Sequence, residues 1–296
     1  MNNHMERLRT EYQNTPVPEE LDRIVDQAIA KSLHSSRRKR VKYTWAAGAC
    51  AVVLLFLVTI NASPAVANAL SAIPGVDRII KVLTWKEYAV DEPGGYHANI
   101  KVPAVTNLDN QPLEQGLNEK YLKENKALYD KFMAEIEALK QQGGGHLGLD
   151  AGYKIKTDNN DILSIERYVD ESRGSTSEKL ELDTIDKKNE ILITLPMLFK
   201  DDRYIQLISD NIKEQMKQQM KTDADKFYWV SGSAEVLPTD EFRAIQKDHS
   251  FYINNDGKLV IVFNKYEVAP GYMGSPEFII PTEVISDALV SRKYIK

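Results

Sequence analysis

Between Lys42 and Asp77 the chain carries no charged residue, a run of 34 positions in a sequence that is otherwise rich in charge. Its most apolar part, Trp45 to Ala62 (WAAGACAVVLLFLVTINA), is 18 residues long, close to the roughly 20 that an α-helix needs to cross a bilayer core of about 30 Å. A helix buried in a soluble domain would carry a polar stripe, and Ala46 to Val58 has none. The run therefore predicts a transmembrane helix over 45–62. Arg37, Arg38, Lys39, Arg40 and Lys42 crowd its N-terminal side, so the positive-inside rule puts residues 1–44 in the cytoplasm and the chain beyond about Ala62 outside the cell. A secretory signal peptide shares this basic–apolar–small layout, but its whole length is roughly 15–30 residues, and here 44 precede the apolar run. An anchor fits better.

The small residues beyond the span read in two ways. Pro64-Ala65-Val66-Ala67-Asn68-Ala69-Leu70 contains two overlapping Ala-x-Ala triplets, the pattern of a signal-peptidase site. Small residues also populate juxtamembrane turns, and spacing alone leaves both the reading and the register open. The rest of the juxtamembrane segment, 63–83, is mostly apolar, with a turn at Ile73-Pro74-Gly75 and an amphipathic second half from Val76 to Leu83.

The cytoplasmic segment is too short for a core of its own. It contains one helix signal: Pro16-Val17-Pro18, acids at Glu19, Glu20 and Asp22 where the helix dipole favours them, then Leu21, Ile24, Val25, Ala28, Ile29 and Leu33 at helical spacing. An apolar stripe with nothing in its own segment to bury against reads as a partner-binding helix. A membrane-surface helix is the alternative, against which stand the acids on its polar face.

Residues 1–44 hold nine basic and six acidic side chains, which leaves 29 basic and 37 acidic beyond the span, a net of −8 outside. Such a domain attracts cationic ligands and repels polyanions. Its pattern is α+β, a single transmembrane helix followed by helices packed on mainly antiparallel sheets. Strands are expected at Trp85–Val90, Tyr96–Val102, Gly152–Lys156, Ile162–Val169, Lys179–Ile185, Glu190–Leu195, Ser250–Ile253, Lys258–Val268 and Glu277–Ile280. Long helices are expected at Leu113–Gln141 and Asp202–Thr222, and a closing one with Pro281 at its first position. The domain, 84–296, divides near Leu195–Asp201 into halves of about 84–197 and 198–296.

Nothing in the sequence argues for catalysis. The only cysteine, Cys50, excludes an intrachain disulfide and cysteine-based zinc sites. Gly143, Gly145 and Gly148 fit G-x-G-x-x-G, but they follow a helix and precede a strand, the reverse of a dinucleotide site. The five histidines are scattered, with His97 and His146 the only ones worth weighing as ligands, and surface positions explain both. Paired acids such as Asp201/Asp202 and Glu166/Asp170 are expected by chance among 43 carboxylates. No catalytic, metal or cofactor residue is assigned. More informative is Val268-Ala269-Pro270-Gly271-Tyr272-Met273-Gly274-Ser275-Pro276, a loop that places a tyrosine and a methionine outside any strand, away from a core. Tyrosine makes a binding anchor at low entropic cost; the alternative is that Tyr272 folds back on its own sheet.

Read in order, the strings RLRTEYQNTPVPEELDRIVDQAI, NASPAVANALSAIPGV, IDKKN, KEQMKQQMK and EVAPGYMG resemble the anti-sigma-V factors, membrane-bound inhibitors of the extracytoplasmic-function sigma factor sigma-V. The resemblance spans nearly the whole chain and is weakest over Val230–Ala244. It implies that Leu21, Ile24, Val25, Ala28 and Ile29 bind sigma-V. It further implies an outer domain that is a lysozyme receptor and inhibitor, with contacts at Pro270, Gly271, Tyr272 and Met273 and a further one at Ser175. Signalling would follow from regulated proteolysis, signal peptidase cutting outside and a site-2 protease within the span. Aligned on Pro64 and Leu70, the family pattern favours Ala67-Asn68-Ala69-Leu70 as the site, with the break after Ala69. The segment Ala65–Leu83 would then be protected in the resting protein, as an amphipathic helix, and extended when ligand binds. A membrane-anchored wall-binding module or polysaccharide-modifying enzyme is the competing reading, opposed by the missing His/Asp metal-ligand set.

Overall fold

The computed structural model describes residues 80–231 and 241–296. The transmembrane, sigma-binding and protease-site expectations lie outside them. Among the described residues no helix is long and apolar enough to cross a membrane.

A six-stranded sheet runs in sequence order: β1 (Lys81–Glu92), β2 (Tyr96–Thr106), β3 (Leu147–Asp158), β4 (Ile162–Arg173), β5 (Ser175–Asp186) and β6 (Ile191–Ile193). All neighbours are antiparallel except β2 and β3, which run parallel because α1 (Gln111–Gln141) carries the chain back between them. Alternation of apolar and polar residues sets the faces. Ala98, Ile100 and Val102 of β2, Leu149 and Ala151 of β3 and Ile165 of β4 meet Leu117, Tyr121, Phe132, Ile136 and Leu139 of α1 in one core. Asn110 caps the helix by accepting from Leu113 N at 3.2 Å, and Pro112 occupies its first turn.

A buried ionic group ties this helix to the sheet. Arg167 of β4 donates to Asp183 (3.2 Å), Glu124 (2.5 Å) and Glu181 (2.6 Å), and Lys120 adds a second bond to Asp183. Burial works against the charge on Arg167, but the three carboxylates outweigh it and hold the guanidinium above its ordinary range.

The second core is nearly all apolar. A 3-10 turn at Leu195–Leu198 leads into α2 (Arg203–Thr222), whose Tyr204, Ile208, Ile212 and Met216 pack on a three-stranded antiparallel sheet of β7 (Phe251–Ile253), β8 (Leu259–Val262) and β9 (Glu277–Ile280). A last helical turn, α3 (Thr282–Ile285), begins after Pro281, which caps it rather than opening it. Tyr252, Val260 and Val262 of this sheet lie on Leu180 of β5, so the second layer covers the β4–β5 side of the large sheet, opposite α1.

Several expected boundaries move. The strand expected over Lys258–Val268 stops at Val262, because Phe263 N turns to Pro276 O at 2.9 Å and Trp229 N takes Val268 O at 2.8 Å. Glu190–Leu195 shrinks to Ile191–Ile193, since Leu195 starts the 3-10 turn. Apolar spacing along α2 predicts Leu207 buried beside Tyr204, Ile208 and Ile212, but it is exposed. Lys81–Leu83, expected within an amphipathic helix, pair with β2 as strand instead; the rest of that segment lies outside the described residues.

The long strands give the sheet two distinct ends, about 40 Å apart for twelve residues at ~3.3 Å each. One, the tip end, collects the β1–β2 turn, the C-terminus of α1 and the β4–β5 hairpin tip at Gly174. The other, the inlet end, collects the start of β1, the start of α1 and the β3–β4 and β5–β6 turns.

Candidate functional site

The loop of interest is assembled at the tip end. Asn264, just past β8, accepts from Leu180 N at 2.7 Å and so docks the loop on β5. Tyr266 then adopts a positive φ of 68°, and Val268, Ala269 and Pro276 are buried as anchors on either side. Between them Gly271–Met273 forms a 3-10 turn closed by Met273 N to Pro270 O at 2.9 Å. At Gly271 a Cβ would stand 2.4 Å from the Tyr266 ring, so a larger residue there would have to displace that exposed ring. Gly274, at φ 66°, reverses the chain into β9.

Tyr272 does not fold back; it is 71% exposed, the most exposed of the large hydrophobic side chains described. Met273 differs from expectation, because the turn that lifts Tyr272 outward rolls Met273 inward against the second core. Pro270 and Gly271 are half-buried. Ser175, from a part of the chain far from this loop, is exposed beside Gly174 at the hairpin tip. The two segments are joined: Ser275 Oγ donates to Glu178 and Lys265 Nζ to Thr176 Oγ1. The hairpin carrying Ser175 and the loop carrying Tyr272 thus form one rim.

Beneath that rim lies a cleft of 630 Å³, lined among others by His97, Asn99, Asp150, Asp170, Glu178 and Lys265. Register creates its character. Asp150 of β3 is directly opposite Asp170 of β4, which is directly opposite Glu178 of β5, so three carboxylates form a row across three strands. Like charges placed opposite each other destabilise a sheet. Burial, then Glu178 and Asp150, raise the Asp170 carboxyl above its ordinary range, against the opposing pull of Lys154 and Lys265. Burial, then Asp150 and Asp170, raise the Tyr168 hydroxyl alongside. The cleft is lined by more acids than bases, Asp150, Asp170, Glu171 and Glu178 against Lys265 and His97.

Other sequence candidates are accounted for. His97 is exposed and pairs with Asp91 at 2.9 Å, and His146 is exposed against Gly95. Glu166 is buried with Lys156 at 3.3 Å, while Asp201 pairs with Arg203 and Asp202 with Lys247. Among the described residues no group of three or more His, Cys, Asp or Glu is arranged to hold a metal. The acidic row escaped the sequence reading because its members lie on separate strands, and only the alternation of β4 and β5 hinted that Asp170 and Glu178 face outward.

Over its full length the chain is 43% identical to the anti-sigma-V factor RsiV of Bacillus subtilis (strain 168), covering the whole of both sequences. The chain belongs to the RsiV family of anti-sigma factors. Residues 197–283 also match a family described as a protein of unknown function, DUF3298. Two crystal structures of that family share the fold. A Bacteroides fragilis member aligns with a TM-score of 0.51 at 16% identity, over 72% of this chain and 94% of its own. A Pseudomonas aeruginosa member aligns with a TM-score of 0.50 at 12% identity, over 75% of this chain and 100% of its own. At such identity they speak for the fold alone, mixed α+β with sheet predominating. The RsiV match covers the tip-end loop and the N-terminal segments alike.

Proposed function

We propose that the chain is a membrane-anchored anti-sigma factor whose outer domain receives a cationic protein, lysozyme, and whose proteolysis releases the sigma factor. The observation that carries this reading is the full-length identity of 43% to a protein named anti-sigma-V factor RsiV. Residues 1–44 are cytoplasmic, with Leu21, Ile24, Val25, Ala28 and Ile29 on sigma-V. Residues 45–62 span the cell membrane, 63–83 carry the protease site, and 84–296 form the extracellular domain.

The tip end suits that ligand. An exposed Tyr272 on a rigid turn supplies the aromatic anchor that dominates many interfaces. The row Asp150–Asp170–Glu178 accepts cationic side chains and steers a basic protein toward the rim. Signal peptidase then cuts after Ala69 and a site-2 protease within the span, freeing sigma-V.

The test is to add lysozyme to cells carrying the full chain and follow it by immunoblot, with Ala69→Trp alongside. The expected result is a ligand-dependent fragment from the unaltered chain and none from the variant. Cleavage that persists in Ala69→Trp would contradict the site, and a chain left intact by lysozyme would contradict the receptor reading.

A further inference from the structure

The loop that lifts Tyr272 leaves and rejoins the second sheet through one neck. Phe263, at the end of β8, donates its N to Pro276 O at 2.9 Å, and Pro276 leads into β9. Beside this neck lies His249, the residue before Ser250, whose carbonyl accepts from Val262 N at 3.0 Å. The His249 ring packs on Phe263 with centroids 4.5 Å apart, and Phe263 in turn meets Phe242 and Phe278 edge-on. Its Nδ1 is 3.9 Å from Glu267, whose other carboxylate oxygen accepts from Asn264 N at 2.8 Å. Asn264 is the residue that docks the loop on β5. His249 therefore packs on the residue that closes the loop and stands beside the one that shapes its first turn.

The imidazole is held there as few surface histidines are. Its side chain is 7% exposed, whereas His97 and His146 lie open to solvent. Its Nε2 is buried without a hydrogen-bond partner, although the ring forms part of the wall of a 490 Å³ cleft. A neutral imidazole bears this at modest cost; a protonated one would hold a charge and a second N–H donor with no acceptor at Nε2. The ionisable groups around the ring are Glu267 and Tyr266 from the loop, Asp248 beside it in the chain, and Glu241 and Arg243 from the cleft wall. Burial outweighs the pull of Glu267, the Val262 backbone and Asp248, and holds the imidazole below its ordinary range, neutral.

We propose that His249 is the positioning residue of the Tyr272 loop: as a neutral ring it braces the neck at Phe263 and Glu267, and its protonation opens the neck and frees the loop. The consequence for ligand capture rests on the reading of Tyr272 as the anchor. The closed neck refuses a proton that the open one takes up near the ordinary histidine pKa of about 6.5. Closure is therefore fully favoured above that pH and loses ground as pH falls below it, by up to about tenfold between pH 7.5 and pH 5.5. The charged imidazole turns into the cleft toward water, and Glu267 follows it at the expense of its bond to Asn264 N, which loosens the first turn of the loop.

The test is amide hydrogen exchange on the full chain in detergent micelles, read by mass spectrometry on peptides covering 263–276 and corrected for the intrinsic pH dependence of exchange. His249→Gln and His249→Phe, both neutral at every pH and the second keeping the stack on Phe263, are measured in parallel. The expected result for the unaltered chain is protection over 263–276 that falls by about tenfold between pH 7.5 and pH 5.5, with α1 unchanged, and no such fall in either variant. Because both variants keep the nearby acids, Asp170 among them, a fall of equal size in them assigns the effect to another group and overturns the proposal. Protection over 263–276 that is the same at both pH values in the unaltered chain overturns it too. A variant that loses protection in α1 has failed to fold, and the other variant with the unaltered chain then decides. Lysozyme added at pH 5.5 should restore protection to the unaltered chain; if it does not while the acid opening is present, the receptor reading fails and the assignment of His249 stands.

Discussion

Asp170 and Asp186 lie toward opposite ends of the β4–β5 pair and are held in opposite directions. At the inlet end Asp186 is buried, yet Lys293 (2.6 Å), Tyr294 (2.6 Å) and Asn189 (2.5 Å) outweigh the cost of burial and keep its carboxyl well below the ordinary range. At the tip end burial and two facing acids push Asp170 up. One carboxylate has its cation within the chain and closes the C-terminal segment onto the sheet; the other lacks enough positive charge around it. The difference separates a carboxylate neutralised within the fold from one that faces other acids.

The two ends depend on a common spine, and breaking it should have the largest effect. Arg167→Ala leaves Asp183 buried with Lys120 alone, and is expected to cost about 3 kcal/mol, read as a drop in the urea midpoint with unchanged m-value. Next, Tyr272→Ala should weaken lysozyme binding by about 2 kcal/mol, or roughly 30-fold, with no change in stability because the ring is exposed. Asp186→Asn removes a charged acceptor at the inlet end and should cost about 1.5 kcal/mol at neutral pH without altering ligand affinity. Because the Asp186 pKa is depressed in the fold, its contribution is present above the ordinary carboxylate pKa of about 3.9 and is lost as pH falls below it. The difference between the two proteins should therefore vanish in acid unfolding curves.

Asp170→Asn sharpens the contrast with a smaller effect of opposite sign. A raised folded pKa means that this group's contribution is present in acid and lost as pH rises. The neutral isostere should then stabilise the domain at pH 7 by about 0.5 kcal/mol, while slowing lysozyme association at low salt. A variant that loses stability and binds as fast as the original would break the account of the acidic row.

How far these features could be read from sequence follows from the range of the interactions that make them. The two long helices were legible, because apolar spacing is local. The end of β8 was not, since Phe263 to Val268 is apolar enough for a strand and is diverted only by Pro276 and Trp229, residues distant along the chain. The exposure of Tyr272 was legible because glycine and proline isolate it; the inward turn of Met273 needed the 3-10 geometry. The facing of Asp150, Asp170 and Glu178 is a consequence of strand register, which no single strand encodes. His249, overlooked as a buried group, lies against Phe263 at 4.5 Å with its Nε2 unpartnered.

The central claim is that the tip end is the ligand-binding end of a lysozyme-responsive anti-sigma factor. It is tested most directly by titrating lysozyme into the purified full chain by calorimetry, with Tyr272→Ala and Met197→Asp in parallel. The account predicts saturable binding by the unaltered chain, kept in Met197→Asp at the inlet end and lost or severely weakened in Tyr272→Ala at the tip. Equal binding by Tyr272→Ala, or no binding by the unaltered chain, would contradict it.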